Sequence, residues 1–157
     1  MGEVTLEGQD GSLRLSVLRY QYPEIEDDEW DSNWLVVEGR VSLNGKEWRF
    51  CDPCMTTLEA MQLADWLDAL SQGTAERDYA AFTEPNLQFD RTSASNIRVS
   101  FALESAPPWA KPGDDWTKHG FEVFIGPGLA VAAQQLRRQL ARYPMRGGRV
   151  GGADRAR

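Results

Sequence analysis

Asn44-Gly45 is the feature that most restricts the fold, because it predicts a tight β-hairpin. Both central residues of a two-residue hairpin turn need positive φ, and Asn-Gly is the preferred pair. The segment WLVVEGRVSL before it and the segment KEWRF after it alternate between apolar and polar residues. Half-buried strands show this alternation. The sequence therefore predicts two antiparallel strands on either side of this turn.

Two helices are predicted, each after a strand-rich segment. The first begins at Thr56, which forms a capping box with Glu59, and ends at Gly73. Its predicted apolar stripe is Leu58, Met61, Ala64, Leu67 and Leu70. The second helix follows residues 126–128 and ends at Pro144. Its predicted buried residues are Leu129, Ala132, Ala133, Leu136, Leu140 and Tyr143, and Gln134, Gln135, Arg137 and Arg138 are predicted to face outward.

The order of these elements predicts an α+β fold. Further alternating strands are expected near residues 12–20, 87–89, 97–103 and 121–125. We predict an antiparallel β-sheet of about six to seven strands with two helices on one face. The strand-rich unit followed by a helix occurs twice, as in a tandem pseudo-repeat or by coincidence of pattern. Residues 1–144 are predicted to form a single domain, and residues 145–157 a flexible Gly/Arg-rich tail with too few apolar residues to bury.

The chain is acidic, and its charge is unevenly distributed. Its formal net charge is −7, from 17 basic and 24 acidic residues. The tail from residue 145 holds four of the basic residues and one of the acidic ones, which leaves −10 for the rest. Such a body repels a phosphate backbone and attracts a basic protein. Direct binding of nucleic acid is therefore disfavoured.

The N-terminal segment MGEVTLEGQDGSLRL lacks the basic and apolar regions of a signal peptide. No apolar run is long enough to span a bilayer. We therefore expect a cytoplasmic protein without a membrane partner, in which the two cysteines are thiols.

Cys51-Asp52-Pro53-Cys54 has the spacing of a thiol–disulfide redox motif. A thioredoxin-like site lies in a βαβ unit, whereas this segment follows a strand of the predicted hairpin. The context favours a loop with two buried, reduced thiols. A redox protein that uses Cys51 and Cys54 is kept as an alternative.

Metal and hydrolase chemistry have little support in the sequence. His119 is the only histidine and is predicted to be exposed beside Lys118, so zinc and a catalytic triad lack partners. A set of oxygen ligands has the spacing of a calcium-binding EF-hand loop: Asp27, Glu29, Asp31, Asn33 and Glu38. Ser32 stands where that loop needs Gly, and no helix is predicted on either side. We predict no catalytic residue, no metal and no cofactor.

Five short segments, in this order and spacing, resemble the WapI-type immunity protein family. They are Asp31-Ser32-Asn33-Trp34-Leu35, Asp52-Pro53, Glu84-Pro85-Asn86-Leu87, Glu104-Ser105 and Pro107-Pro108-Trp109. The likeness runs from about Leu13 to Pro144. Members of this family are small bacterial cytosolic proteins encoded beside polymorphic toxins of the cell-wall-associated (WapA), contact-dependent-inhibition and Rhs types. The motifs themselves are interpreted mainly as structural, because each can shape a turn or the start of an element.

The resemblance implies a non-enzymatic protein that binds and neutralises a cognate toxin domain. Some toxins of these systems are RNA-cutting nucleases with basic active surfaces, which an acidic body would complement. Candidate contacts lie in two acidic, aromatic loops. They are Glu24, Glu26, Asp27, Asp28, Glu29, Trp30 and Asp31 in the first loop, and Trp109, Asp114, Asp115 and Trp116 in the second. Two alternatives stay open, namely solvated loops without a partner and a generic acidic protein-interaction module.

Overall fold

The computed structural model describes residues 2–147, which form two four-stranded antiparallel sheets and two helices. The first sheet and its helix are β1 (Val4–Glu7), β2 (Gly11–Tyr20), β3 (Trp34–Leu43), β4 (Lys46–Thr56) and α1 (Thr57–Gln72). The second set is β5 (Tyr79–Ala80), β6 (Leu87–Arg91), β7 (Asn96–Phe101), β8 (Gly120–Phe124) and α2 (Pro127–Leu140). Strands follow one another in both sheets in chain order. No helix between residues 2 and 147 has the length and hydropathy needed to cross a bilayer.

The predicted α+β class is confirmed, but the sheet arrangement differs from the single sheet that we predicted. Eight strands form two separate sheets, and the order of four strands and a helix occurs twice. The strands missing from the prediction are β1 and β5, which have four and two residues. Segments this short carry too little alternation to be recognised in a sequence.

The predicted hairpin is confirmed at Asn44-Gly45. Both residues have positive φ, 51° and 83°, and Leu43 pairs with Lys46 across the turn. Asparagine and glycine tolerate this left-handed region better than other residues do. The turn therefore fixes the register in which β3 and β4 pair.

Helix α1 has the predicted ends, and Ala64, Leu67 and Leu70 of its predicted apolar stripe are buried. The Thr56 side chain accepts a hydrogen bond from the Glu59 amide, the Glu59 side chain accepts one from the Thr56 amide, and Gly73 ends the helix at φ 75°. The buried residues are Thr57, Ala60, Leu63, Ala64, Trp66, Leu67 and Leu70. The prediction that Leu58 and Met61 belong to the core was wrong, because both are exposed.

One aromatic cluster joins the two sheets. The Phe101 ring on β7 lies 5.5 Å from the Trp48 ring and 6.2 Å from the Phe50 ring, both on β4. It also stacks on Phe121 of β8 at 6.2 Å. Phe50 packs against Gly39, its partner on β3, where a β-carbon would lie 2.2 Å from the ring. The two sheets therefore share one hydrophobic core.

Helix α2 fixes β1 and β2 through two glutamines. Gln139 is buried; its Oε1 accepts a hydrogen bond of 2.6 Å from the Val17 amide and its Nε2 donates one of 3.2 Å to the Leu15 carbonyl. Gln135, predicted to face outward, instead accepts a 3.0 Å hydrogen bond from the Thr5 amide. These amide side chains satisfy main-chain groups that the sheet leaves unpaired.

Strand β7 ends earlier than predicted. It stops at Phe101, and Leu103 lies in a 3-10 turn with φ 52°. About half of the Leu103 side chain is exposed. The apolar alternation continues to Leu103, so the sequence predicted a longer strand. In the structure the chain turns at this residue and exposes its side chain.

Candidate functional site

The first acidic loop, residues 21–33, has a fixed main-chain conformation. Asp28 Oδ1 accepts hydrogen bonds from the amides of Trp30 and Asp31, at 2.8 and 2.7 Å. The Asp28 amide donates to Ser32 Oγ at 2.8 Å, and Asn33 Nδ2 donates to the Glu29 carbonyl at 2.8 Å. Ser32 and Asn33 are buried beneath the loop. Asp28 therefore shapes the loop, although its side chain lies at the surface.

Arg146 closes this loop from below. Its guanidinium donates hydrogen bonds to the carbonyls of Tyr22, Pro23 and Ser32, at 2.8 to 3.1 Å. Its main chain exchanges hydrogen bonds with the Asn33 amide side chain, at 2.8 and 2.9 Å. The guanidinium carbon also lies 3.7 Å from the centre of the Tyr20 ring. One cation thus ties both ends of the loop together and places a positive charge beside its acidic residues.

Most carboxylates of the loop point into solvent. Glu24, Glu26, Asp27, Glu29 and Asp31 are exposed. None of these five side chains makes a hydrogen bond or an ion pair with another residue of the range 2–147. Holding like charges this close together costs free energy, which salt and solvent only partly screen. The loop is therefore a concentrated and accessible negative surface.

An apolar groove lies next to the acidic loop. It has a volume of about 300 Å³, and its lining residues are Glu29, Trp30, Asn33, Thr56, Leu58, Met61 and Met145. Trp30 is 59% exposed, Leu58 47% and Met61 43%. Of these residues, Glu29 and Trp30 were predicted to contact a partner. Leu58 and Met61 were assigned to the core, and the signal that identifies them is a second apolar stripe on α1.

The second acidic loop, residues 102–119, uses its charges differently. Asp114 accepts hydrogen bonds from the Lys111 amide at 2.8 Å and from Lys118 Nζ at 3.1 Å, and lies 3.0 Å from His119 Nε2. These hydrogen bonds, that of the Lys111 amide foremost, hold the pKa of Asp114 well below its usual range. The prediction of an exposed His119 was wrong, because its ring is buried against Asp114. Asp114 thus organises the loop.

The other predicted contacts of the second loop are Trp109, Asp115 and Trp116, and they have different environments. Trp109 packs edge-on against Trp48 at 5.4 Å, below the ammonium of Lys46 at 5.0 Å. Asp115 accepts hydrogen bonds from the Thr117 hydroxyl and amide, which lower its pKa. Trp116 is about half exposed, beside a cavity of about 460 Å³.

The two acidic loops lie at opposite ends of β4. Trp109 packs on Trp48 near the start of that strand, whereas Trp30 lines a groove with Thr56 at its end. Eight residues of strand, at about 3.3 Å per residue, separate these points by about 26 Å. The predicted contacts therefore form two patches, and the patch around Trp30 has the larger number of free carboxylates.

The two cysteines lie in β4, not in the loop that we predicted. Cys51 is exposed and Cys54 is buried, so the prediction of two buried thiols was wrong for Cys51. Burial raises the pKa of the Cys54 thiol to about 12. Burial therefore opposes formation of the Cys54 thiolate, and both cysteines are free thiols in the structure.

The residues with the spacing of a calcium-binding loop do not come together as a set of metal ligands in the structure. Glu38 lies on β3 and forms an ion pair with Arg49 of β4, and Asp28 binds main-chain amides. Among residues 2–147, no three His, Cys, Asp or Glu side chains are arranged to hold a metal ion.

Comparison with known proteins identifies the family. Residues 5–144 match the Immunity protein WapI-like family, which is most of the chain. The chain belongs to the WapI-like immunity family. Comparisons with curated proteins and with solved structures gave no significant match.

Three of the motifs that resemble WapI-type immunity proteins meet at one structural junction. The buried Asn86 donates hydrogen bonds to Asp52 and to Glu104, both at 3.2 Å. Burial, then the charges of Glu104 and Glu84, raise the pKa of Asp52. The Ser105 carbonyl accepts a 3.0 Å hydrogen bond from the Trp48 indole. These motifs of the WapI-like chain therefore join β4 to the second sheet, a long-range role that their interpretation as local turn-shaping segments did not predict.

Proposed function

We propose that this chain is an immunity protein that binds a cognate toxin domain and blocks it without catalysis. The toxin domain in this proposal is basic, of the nuclease type found in WapA, contact-dependent-inhibition and Rhs systems, and is met in the cytoplasm. The observation that carries the proposal is the exposed acidic loop of residues 21–33, held in a fixed conformation on a protein of an immunity family.

Electrostatic attraction is the first contribution of this loop. A basic nuclease surface has a positive potential. Residues 2–147, with 14 basic and 23 acidic residues, have a formal charge of −9 and free carboxylates in one loop, which give a negative potential. Complementary potentials raise association rates and discriminate against wrong partners. The same negative charge repels nucleic acid. The immunity protein therefore does not bind the nucleic acid that the toxin cleaves.

Preorganisation is the second contribution. Asp28 and Arg146 fix the main chain of the loop in the unbound protein. Ordering a mobile loop during association costs free energy that a preformed loop does not have to spend. We therefore expect the carboxylates to meet the toxin in the arrangement that the free protein already has.

The redox alternative has less support than inhibition by binding. A redox cysteine reacts as a thiolate and is accessible. Cys54 is buried, with its pKa raised to about 12, and Cys51 is exposed on the strand next to it. We therefore assign no catalytic role to this pair.

The proposal requires a toxin gene beside the gene of this chain, and its test is the rate of association with the toxin domain which that gene encodes. A variant that carries Glu24→Gln, Glu26→Gln, Asp27→Asn, Glu29→Gln and Asp31→Asn removes five charges but keeps Asp28, which shapes the loop. At low ionic strength we expect association to slow by at least about tenfold, and the difference from wild type to shrink as salt is added.

A control variant separates local charge from total charge. Glu7→Gln, Asp10→Asn, Glu47→Gln, Glu76→Gln and Asp78→Asn remove the same number of charges from exposed positions elsewhere. This control should slow association much less than the loop variant does. Equal slowing by the two variants would contradict a role for the loop, and absence of binding by the wild-type protein would contradict the proposed function.

A further inference from the structure

We propose that the groove between the acidic loop and α1 is an anchor pocket for one bulky apolar side chain of the toxin. The segment that carries this side chain also has a Lys or Arg close by. This inference rests on the proposed function and adds to it the part of the partner that provides specificity. It is carried by the position of Leu58 and Met61, whose side chains the core leaves almost half exposed.

The apolar walls of the groove are surplus to the core. Helix α1 already has a complete buried face, which includes Leu63, Leu67 and Leu70. Leu58 and Met61 are three residues apart and therefore neighbours on the helix surface, and both are almost half exposed. Their exposure leaves apolar area in contact with water, which is unfavourable in free energy. A partner that covers this area recovers that free energy.

The groove is built from three parts of the chain. Trp30 comes from the acidic loop, Leu58 and Met61 from the first turns of α1, and Met145 from the segment after α2. Tryptophan and methionine are enriched where proteins bind one another. Methionine side chains also adapt their shape to a bound group. A volume of about 300 Å³ is at the small end for ligand pockets, which suits a single side chain.

The polar atoms that line the groove favour an apolar occupant. Asn33 already exchanges hydrogen bonds with Glu29 and Arg146. Thr56 Oγ1 already accepts the amide hydrogen bond of the α1 cap. A polar ligand would therefore find these groups occupied, whereas an apolar side chain needs no hydrogen bond from them.

The charge at the rim defines what lies next to that side chain. Glu29 lines the groove itself, and the other free carboxylates of the loop follow within a few residues. An acidic residue of the partner at this point would be repelled, and a Lys or Arg would be attracted. An apolar anchor with a neighbouring cation thus fits both the walls and the rim of the groove.

The test is the double variant Leu58→Ala with Met61→Ala, measured against the toxin domain encoded beside this chain. Both side chains are exposed, so we expect the thermal unfolding midpoint to stay close to that of wild type. We expect the dissociation rate to rise by at least about tenfold and the association rate to change little. Charge variants of the loop act mainly on association, so the two contributions are separable.

The matched control is the double variant Leu18→Ala with Val131→Ala. These residues are also exposed, at 42% and 54%, but lie outside the groove. The control should leave dissociation unchanged. If the groove variant binds as wild type does while the charge variant still slows association, the anchor-pocket inference is wrong and the proposed function stands. If wild type does not bind at all, the proposed function fails.

Discussion

Arg146 donates two hydrogen bonds to the carbonyl oxygen of Ser32, from Nε at 3.1 Å and from Nη2 at 2.8 Å. The two residues are 114 positions apart in the chain. The family match ends at residue 144, so this connection is made by a side chain just beyond it. Residues 145–147 belong to the predicted tail, and in the structure Arg146 packs on the acidic loop. Residues 148–157 lie outside the described residues, and the tail remains a prediction for them.

Replacing Arg146 by Ala is expected to loosen the acidic loop. The substitution leaves the carbonyls of Pro23 and Ser32 without a donor, and the Tyr22 carbonyl with the Ile25 amide alone. It also removes the cation from the Tyr20 ring. We expect a loss of about 1–2 kcal/mol in unfolding free energy, from charged hydrogen bonds and a cation–π contact at a partly exposed site. The amides of Trp30 and Asp31 should exchange hydrogen faster.

Arg142→Ala is the control for this experiment, because it removes the same charge from an exposed position. It should leave amide exchange in the loop unchanged. If the loop amides exchange at the same rate in the two variants, Arg146 does not hold the acidic loop in place.

Gln139→Leu is expected to destabilise the first sheet. The side chain would keep its volume but would no longer accept the hydrogen bond from the Val17 amide, which is buried. An unpaired buried amide costs about 1–3 kcal/mol. Equilibrium denaturation should show this loss, whereas Gln134→Leu, on the exposed side of α2, should shift the midpoint little. Equal stability of the Gln139 variant and wild type would contradict the role of this hydrogen bond.

Asp52→Asn is expected to stabilise the protein at neutral pH. Because the pKa of Asp52 is raised in the folded state, its ionisation favours unfolding as pH rises above the unfolded-state value of about 3.9. The asparagine removes that penalty and still offers an oxygen to Asn86. We expect a gain of about 0.5 kcal/mol at pH 7, which disappears below about pH 3.9, where Asp52 is protonated in both states.

Denaturation curves of wild type and the Asp52 variant at several pH values measure this difference. Asp10→Asn, at an exposed turn position, provides the comparison. A gain that persists unchanged at low pH would show that the carboxylate charge is not its cause.

The two thiols are expected to differ in reactivity. Cys51 is exposed, whereas burial raises the pKa of Cys54 to about 12. One thiol per chain should react with a disulfide reagent at pH 8 in the native protein, and two should react in denaturant. A Cys51→Ser, Cys54→Ala variant should bind the toxin domain normally. Rapid reaction of both thiols in the native protein would revive the redox alternative.

Features that act over a few residues could be predicted from the sequence. The Asn44-Gly45 turn and the Thr56–Glu59 capping box are both present. In each case the hydrogen bonds or φ angles involve residues at most three positions apart, so the required residue types appear together. The α+β class follows from the same kind of signal, because strand and helix periods differ.

The buried face of α1 could not be predicted in this way. Of the predicted stripe, the C-terminal part enters the core, whereas Leu58 and Met61 are exposed and Ala60 and Leu63 are buried in their place. Which side of the first turns enters the core depends on the position of α2 and the sheets, which the local sequence does not contain. For the same reason, the sequence identified Trp30 as a candidate contact but not the groove beside it.

The environments of Arg146 and His119 could not be predicted either. Arg146 binds carbonyls more than 110 residues away, and main-chain carbonyls carry no sequence signal. His119 is near Asp114 in sequence, but its burial depends on the second loop folding over it. Composition showed that the protein is acidic, whereas only the structure separates free carboxylates from those that hold a loop together.

The sequential order of the strands in both sheets bears on how the chain folds. Each strand pairs only with its neighbours in the sequence, so no strand pair requires the closure of a long loop across other strands. The long-range step is the joining of the two halves, through Trp48 with Phe101 and through the contact between α1 and α2. We therefore expect each four-stranded sheet to form quickly, and the docking of the two sheets to limit the folding rate. The acidic loop, which Arg146 holds, would then reach its final conformation only after both halves have left the ribosome.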